Sequence, residues 1–311
     1  MGSVTLNIFT IVFSVEFIIG NLGNGFIVLV NSLDLINRKK TSVADRLLTA
    51  LAVSRIGLLW LLFAYWWRYM FYSTFWIQVT MIRIIYIIWI VSCHFSMWLA
   101  TCLSIFYCLK IAIFSNSIFL YFKWRVKKVI SVMLLVSLVL LLLQLLLTNS
   151  YLDVVIAEYK GNISDIFNLH KCVEVFRPLL LCNAAFTFIA FALSLSIFLL
   201  LIFSLWKHLK KMHHNVKVSR DVSTTAHIKA LQGVVAFLIL YTIFFLSIFL
   251  QLWRFKFSNS LYFYFCEIGE ISFPAFHSFV LILGNSKLKQ AYLSLLMWLK
   301  HWSEDIEPSG A

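Results

Sequence analysis

The chain has 311 residues, 62% of them hydrophobic and 13% charged, with a mean hydropathy of +0.91. Soluble domains are about half apolar and a quarter charged, so a water-soluble globular protein is excluded and an integral membrane protein is implied. The formal charge of +13 does not call for nucleic acid, because a basic face beside a bilayer is drawn to anionic headgroups.

A hydrocarbon core about 30 Å thick needs roughly 20 apolar residues in a helix. Seven such stretches are predicted near residues 7–31, 46–66, 84–112, 128–149, 179–206, 230–252 and 261–283. The alternating ten-residue segments of a closed barrel are absent. The expected fold is an all-α bundle of seven transmembrane helices over residues 1–283, followed by a short tail, 284–311. Span one has no basic region ahead of it and no small-residue cleavage site behind it, so it is expected to stay as a signal-anchor. Alternate loops carry 17 against 7 lysines and arginines, which puts the N-terminus outside and the C-terminus in the cytoplasm. The sequon Asn162-Ile163-Ser164 falls in a loop on the outer side, where glycosylation occurs.

Polar residues inside the spans are the informative ones, since a charge at the bilayer centre costs upward of about 2.5 kcal/mol. In span one, Glu16 reads either as an interior group or as one in interfacial water. Asn24 follows in GNLGNGF, whose glycines let another helix approach while the amide bonds across the contact. In span two, Arg55 sits inside DRLLTALAVSRIGLLWL at mid-depth. Its five donors and permanent charge need several acceptors, which side-chain oxygens and carbonyls of spans one and seven, near Asn24 and Ser278, are expected to supply. That makes it a conformational linchpin rather than a ligand contact.

Span three carries a stripe of Trp89, Cys93, Ser96, Ala100, Ser104, Tyr107 and Lys110 at steps of three and four. Span seven, CEIGEISFPAFHSFVLILGN, puts Glu267, Glu270, Pro274, His277 and Ser278 on one face. Two carboxylates three residues apart are hard to explain as packing, and the choice lies between a ligand or ion site and a structural polar network. Of the six cysteines only Cys172 is clearly in an outer loop, and no disulfide to the top of span three is expected. HExxH, phosphate-loop and G-x-S-x-G motifs are missing, and His213 and His214 lack ligand spacing. No enzyme, metal or cofactor is therefore expected. A transporter or channel using Glu16, Glu267 and Glu270 is the competing reading; the few prolines and the lack of an internal repeat speak against it.

Neither a DRY sequence after span three nor NPxxY in span seven is present. The stretches LAVSRIGLLW (51–60), HFSMWLATCLSIFYCLKIA (94–112), SLWKHLKKM (204–212), RDVSTTAHIKALQ (220–232) and HSFVLILGNSKLKQA (277–291) occur in one order along the chain. Together they closely resemble the bitter taste receptors, the type 2 taste receptor family of G-protein-coupled receptors. A pheromone-receptor relative is disfavoured by SLWKHLKKM and HSFVLILGN.

The resemblance implies a multi-pass plasma-membrane receptor for small bitter molecules, acting on a gustducin-type or related inhibitory heterotrimeric G protein. The agonist would enter between spans three, five, six and seven. Trp89 and Glu267 match the family's main ligand contacts, with Trp66 and Cys93 lining the same cavity and Glu270 sharing the acidic face. Phe244 stands where close relatives carry a tyrosine switch, so that hydroxyl is lost. Tyr107 and Lys110, with His208, Lys210 and Lys211, are expected near the G protein. The interior positions Asn24 and Arg55 match as well. The tail segment LKQAYLSLLMWLKHW has helical apolar spacing and basic edges, and is expected along the inner membrane surface.

Overall fold

A computed structural model describes residues 2–71, 79–112, 114, 116–158, 169–215, 222–253 and 260–306, and every regular element among them is helical. In chain order these are α1 (Gly2–Ile36), α2 (Val43–Phe71), α3 (Val79–Ile111), α4 (Ser117–Trp124), α5 (Val126–Glu158), α6 (Leu169–Asn215), α7 (Val222–Gln251), α8 (Ser260–Gly284) and α9 (Ser286–Ile306). Seven of them, all but α4 and α9, are long and apolar enough to cross a membrane. The helices outrun the apolar stretches. α6 continues through LWKHLKK, because hydrogen bonding along the axis does not end where the hydropathy does.

The helix ends follow local chemistry. Ser42 and Asp45 form a reciprocal box at the start of α2. Asp45 Oδ2 accepts from the Ser42 amide at 2.9 Å, and the Asp45 amide donates to Ser42 Oγ at 3.1 Å. α1 closes with Arg38 at φ 53°, where the Arg38 amide donates to the Leu35 carbonyl and the Lys39 amide to that of Asp34. This is the left-handed cap that satisfies a helix's last carbonyls. α4 was not foreseen in the sequence, where residues 113–127 read as loop. Asn116 caps it by accepting from the Ile118 amide at 2.9 Å. Asn285 does the same for α9, taking the Lys287 amide at 3.0 Å and the Leu288 amide at 3.3 Å.

α8 packs on α1, α2 and α7, while α3 packs on α2, α5 and α6. α8 is the most buried spanning helix and α5 the least. Leu135, Val139, Leu142 and Leu146 form an exposed stripe on α5 suited to hydrocarbon. Glycines set the closest contacts. A Cβ on Gly20 would lie 2.9 Å from Ala275 Cα, and one on Gly23 would lie 2.3 Å from Ser278 Oγ, so α1 meets α8 on bare backbone. A Cβ on Gly269 would lie 1.9 Å from Ser247 Oγ, so α8 meets α7 in the same way. Gly25, the third glycine of GNLGNGF, has open space around its Cβ position.

At the end of the bundle where α1 finishes, Lys287 ties α9 down. Its Nζ lies 2.6 Å from Asp34 Oδ2 and 3.5 Å from Asp45 Oδ1, and donates to Asn31 Oδ1 at 2.8 Å. One ammonium thus joins α1, α2 and the base of α9. Arg83 and Asp153 form an ion pair from α3 to α5.

Gly269→Ala is expected to destabilise the protein by about 1–3 kcal/mol through overpacking. Adding Ser247→Ala should restore more than half of the loss, read as thermal unfolding in detergent. Equal losses in the single and double variants would show that the α7–α8 contact does not set this cost.

Candidate functional site

The spanning helices bring two regions together. The first surrounds Trp66 near the end of α2. Phe13 of α1 stacks on Trp66 with centroids 4.7 Å apart and planes at 16°. Tyr264 of α8 meets Trp66 edge-on at 5.7 Å and stacks on Phe9 at 5.1 Å. Cys93 and Ile271 complete this core cluster, and Trp89, half-buried and 5.4 Å from Tyr86, packs on its edge. Trp66, Trp89 and Cys93, which the family resemblance assigns to one cavity, lie in or against one cluster. Phe9 and Phe13 went unremarked in the sequence; their spacing of four residues was the signal.

Glu267 and Glu270 are buried on α8, and Glu270 is close enough to the Cys93 thiol to interact electrostatically. Phe244 is buried too, but in the other core cluster, 5.4 Å from Phe273. Glu16 is an interior group rather than an interfacial one: it is buried, and its Oε1 accepts from Ser272 Oγ at 2.9 Å.

At mid-bundle Asn24, Arg55, His277 and Ser278 are all buried. Asn24 Nδ2 donates to the Gly20 carbonyl at 2.8 Å and to the Pro274 carbonyl at 2.9 Å, joining α1 to α8. Ser278 Oγ donates to the Ala275 carbonyl at 2.7 Å. The expectation that these groups accept from Arg55 is not met. Ser278 reaches back to its own helix, the Asn24 amide nitrogen is spent on carbonyls, and none of the Arg55 nitrogens has a hydrogen-bond partner. The guanidinium lies over the Phe273 ring instead, 4.6 Å from its centroid. His277 stacks on the same ring at 5.3 Å and 17°.

The second region is a cavity of about 100 Å³ between α3, α6, α7 and α8, lined by Ser104, Tyr107, Phe198, Gly233, His277 and Gly284 among others. Tyr107 and His277 are thereby brought to one space. Along the α3 stripe Ser96, Ala100 and Ser104 are buried, Tyr107 is half-buried and Lys110 is exposed. Trp89 and Tyr107 are 18 residues apart on one helix, about 27 Å at 1.5 Å per residue. The aromatic cluster and the cavity thus occupy opposite halves of the bundle. Lys110 lies over Phe106 at 5.5 Å, and exposed Lys210 over Trp206 at 5.7 Å. Asn162 and the side chains of His208, Lys211 and Cys172 lie outside the described residues. Among the described residues, no group of three or more His, Cys, Asp and Glu could hold a metal ion.

Asn24→Leu should cost about 1–3 kcal/mol, since it removes both donors to buried carbonyls. Thermal unfolding and surface expression are the readouts, and an unchanged melting temperature would show that the α1–α8 bond carries no stability.

The family model described as "Taste receptor protein (TAS2R)" matches residues 1–300. Over 310 residues the chain is 50% identical to "Taste receptor type 2 member 14" of Pongo pygmaeus and 48% identical to that of Homo sapiens, covering 100% of this chain and 98% of each relative. It is 52% identical over 287 residues to "Taste receptor type 2 member 140" of Rattus norvegicus, with 92% of both chains covered.

Proposed function

The chain belongs to the type 2 taste receptor family and is a multi-pass bitter taste G-protein-coupled receptor, not an enzyme; on that premise we propose how its two halves divide the work. The half around Trp66 takes the bitter molecule. Trp89 and Glu267 make the main contacts, with Trp66, Cys93, Phe244 and Glu270 around them. Trp89 offers an amphipathic face for apolar or cationic ligands, and Glu267 pairs with a protonated amine or accepts a hydrogen bond. The observation that supports this reading is the gathering of Trp66, Trp89 and Cys93 against Tyr264 and Ile271 of α8, the helix that also carries the buried Glu267 and Glu270.

The half around Tyr107 faces the G protein, of the gustducin type or a related inhibitory type. Tyr107, Lys110, His208, Lys210 and Lys211 meet its α subunit, and the cavity beneath Tyr107 is the space that opens on activation. The receptor lies in the plasma membrane with its N-terminus outside and Asn162 in a glycosylated outer loop. Asn24, Arg55, His277 and Ser278 couple the halves without touching the agonist. Binding that favours the open inner cavity is reciprocal, so G protein tightens agonist binding. No observation on the fold or among the relatives favours a transporter.

In cells carrying a promiscuous G protein, a panel of bitter compounds should produce calcium release. Trp89→Ala and Glu267→Ala should abolish the response while surface expression persists. Glu267→Gln should raise the half-maximal concentration of an amine agonist by roughly 10–100-fold, the worth of about one charge-assisted bond. Unchanged dose curves in these variants would sink the pocket assignment.

Arg55→Ala should impair signalling for every agonist, and loss confined to one compound would contradict its interior role.

A further inference from the structure

The corner where α4 meets α5 gathers cations with no acidic group to accompany them. From residue 46 to residue 152 the chain has no aspartate or glutamate, yet the run KWRVKK, residues 123–128, holds Lys123, Arg125, Lys127 and Lys128. All four are exposed, and among the described residues none forms an ion pair. Lys123 reaches the Ala112 carbonyl at 3.5 Å, and the Arg125 guanidinium lies 4.9 Å from the centroid of the Tyr121 ring. Four like charges on so short a run repel one another, and no carboxylate among the described residues offsets that repulsion.

The apolar side of the corner shows what it meets. α4 buries no residue, and Ile118, Tyr121, Phe122 and Trp124 are exposed, Trp124 at 88%. On α5, Lys128 is followed at steps of four and three by Val132, Leu135, Val139, Leu142 and Leu146, all exposed. Lys128 therefore stands at the foot of the stripe that faces hydrocarbon. Val132 to Leu142 is a rise of about 15 Å at 1.5 Å per residue, the apolar depth of one leaflet. Lys128 lies about 6 Å beyond Val132, at the level of the headgroups. Arg125, whose carbonyl accepts from the Val129 amide at 3.0 Å, lies one turn further. Tryptophan, here Trp124, is a residue that settles at this depth. A protein arriving from water can cover α4, but not the foot of a stripe whose next turn is in hydrocarbon.

We propose that the α4–α5 corner binds a polyanionic phospholipid of the phosphoinositide class. Arg125, Lys127 and Lys128 take the phosphate groups, Trp124 lies among the glycerol esters, and an acyl chain runs along Val132, Leu135 and Val139. Arginine supplies a planar fork for one phosphate and the lysines supply point charges for the others. A headgroup with several charges is favoured over a singly charged one because three cations without a carboxylate partner stand within four residues. Nothing in the site depends on the agonist contacts assigned to Trp89 or Glu267. Because α4 packs on both α3 and α5, an occupied site ties the end of the bundle that carries Tyr107 to the composition of the bilayer.

The test titrates the purified full chain in detergent with phosphatidylinositol bisphosphate and reads bound lipid by native mass spectrometry. Saturable binding of one lipid is expected, tighter than that of phosphatidylserine. Arg125→Gln combined with Lys128→Gln should weaken it roughly 10–30-fold, the worth of two cations at a lipid surface. Lys40→Gln combined with Lys289→Gln removes the same charge elsewhere on the chain and should leave binding unchanged. Inositol trisphosphate, a phosphorylated headgroup without acyl chains, should fail to displace the lipid from the unaltered chain at equal concentration. Equal weakening in the two double variants would reduce the effect to a general attraction of basic surface and overturn the proposal. Displacement by inositol trisphosphate would make the corner a site for free phosphate and overturn it too. Unchanged lipid binding in the Arg125 and Lys128 variant would do the same, and a fall in G-protein activation alongside it would make the corner a protein-docking face.

Discussion

The contact of α8 with bare backbone on both sides is the constraint from which the interior follows. Gly20 and Gly23 of α1 present no Cβ of their own to Ala275 and Ser278 of α8, and Gly269 of α8 presents none to Ser247 of α7. Only at that separation can a side chain as short as asparagine reach the Pro274 carbonyl, or Glu16 reach Ser272. In hydrocarbon there is little hydrophobic gain from bringing helices together, so small residues and direct polar bonds must hold them. The α1–α8 seam uses both.

The remaining hydroxyls show how polarity is made tolerable away from water. Ser104, Ser137 and Ser196 each donate to a carbonyl three or four residues earlier in their own helix. A group satisfied in this way costs little and ties nothing together. Bonds between helices are fewer, and each joins a chosen pair. Thr101 and Ser194 approach to 2.8 Å between α3 and α6, and Gln144 donates to Asn183 at 3.1 Å between α5 and α6.

The bundle was legible because membrane insertion writes itself into composition, and the stripe of α3 because a helix repeats every 3.6 residues. The region shared by Trp66, Trp89 and Cys93 was visible through family resemblance. Its wall of Phe13 and Tyr264 was not, since no periodicity tells one aromatic which partner it will meet. α4 was missed for a local reason: its eight residues give too short a pattern, and only the Asn116 cap announces it. Arg55 shows the limit most plainly. The cost of burying it could be read from its place among leucines, whereas its neighbour could not. Asn24 and Ser278 stood at the right depth, but depth says nothing about whether an oxygen is already engaged or where it points.

Pro274 lies between the acidic half of α8 and the half that lines the Tyr107 cavity. Its ring nitrogen can give nothing to the carbonyl of Glu270, so the ladder of α8 lacks a rung there, and a helix with a missing rung is most compliant at that point. The carbonyl of Pro274 itself is grasped from α1 by Asn24. α8 therefore behaves as two rigid levers sharing a soft joint, with α1 as the bearing. The guanidinium of Arg55 rests on Phe273, the residue just before the proline, so the one buried arginine among the described residues sits at the joint and not on either arm.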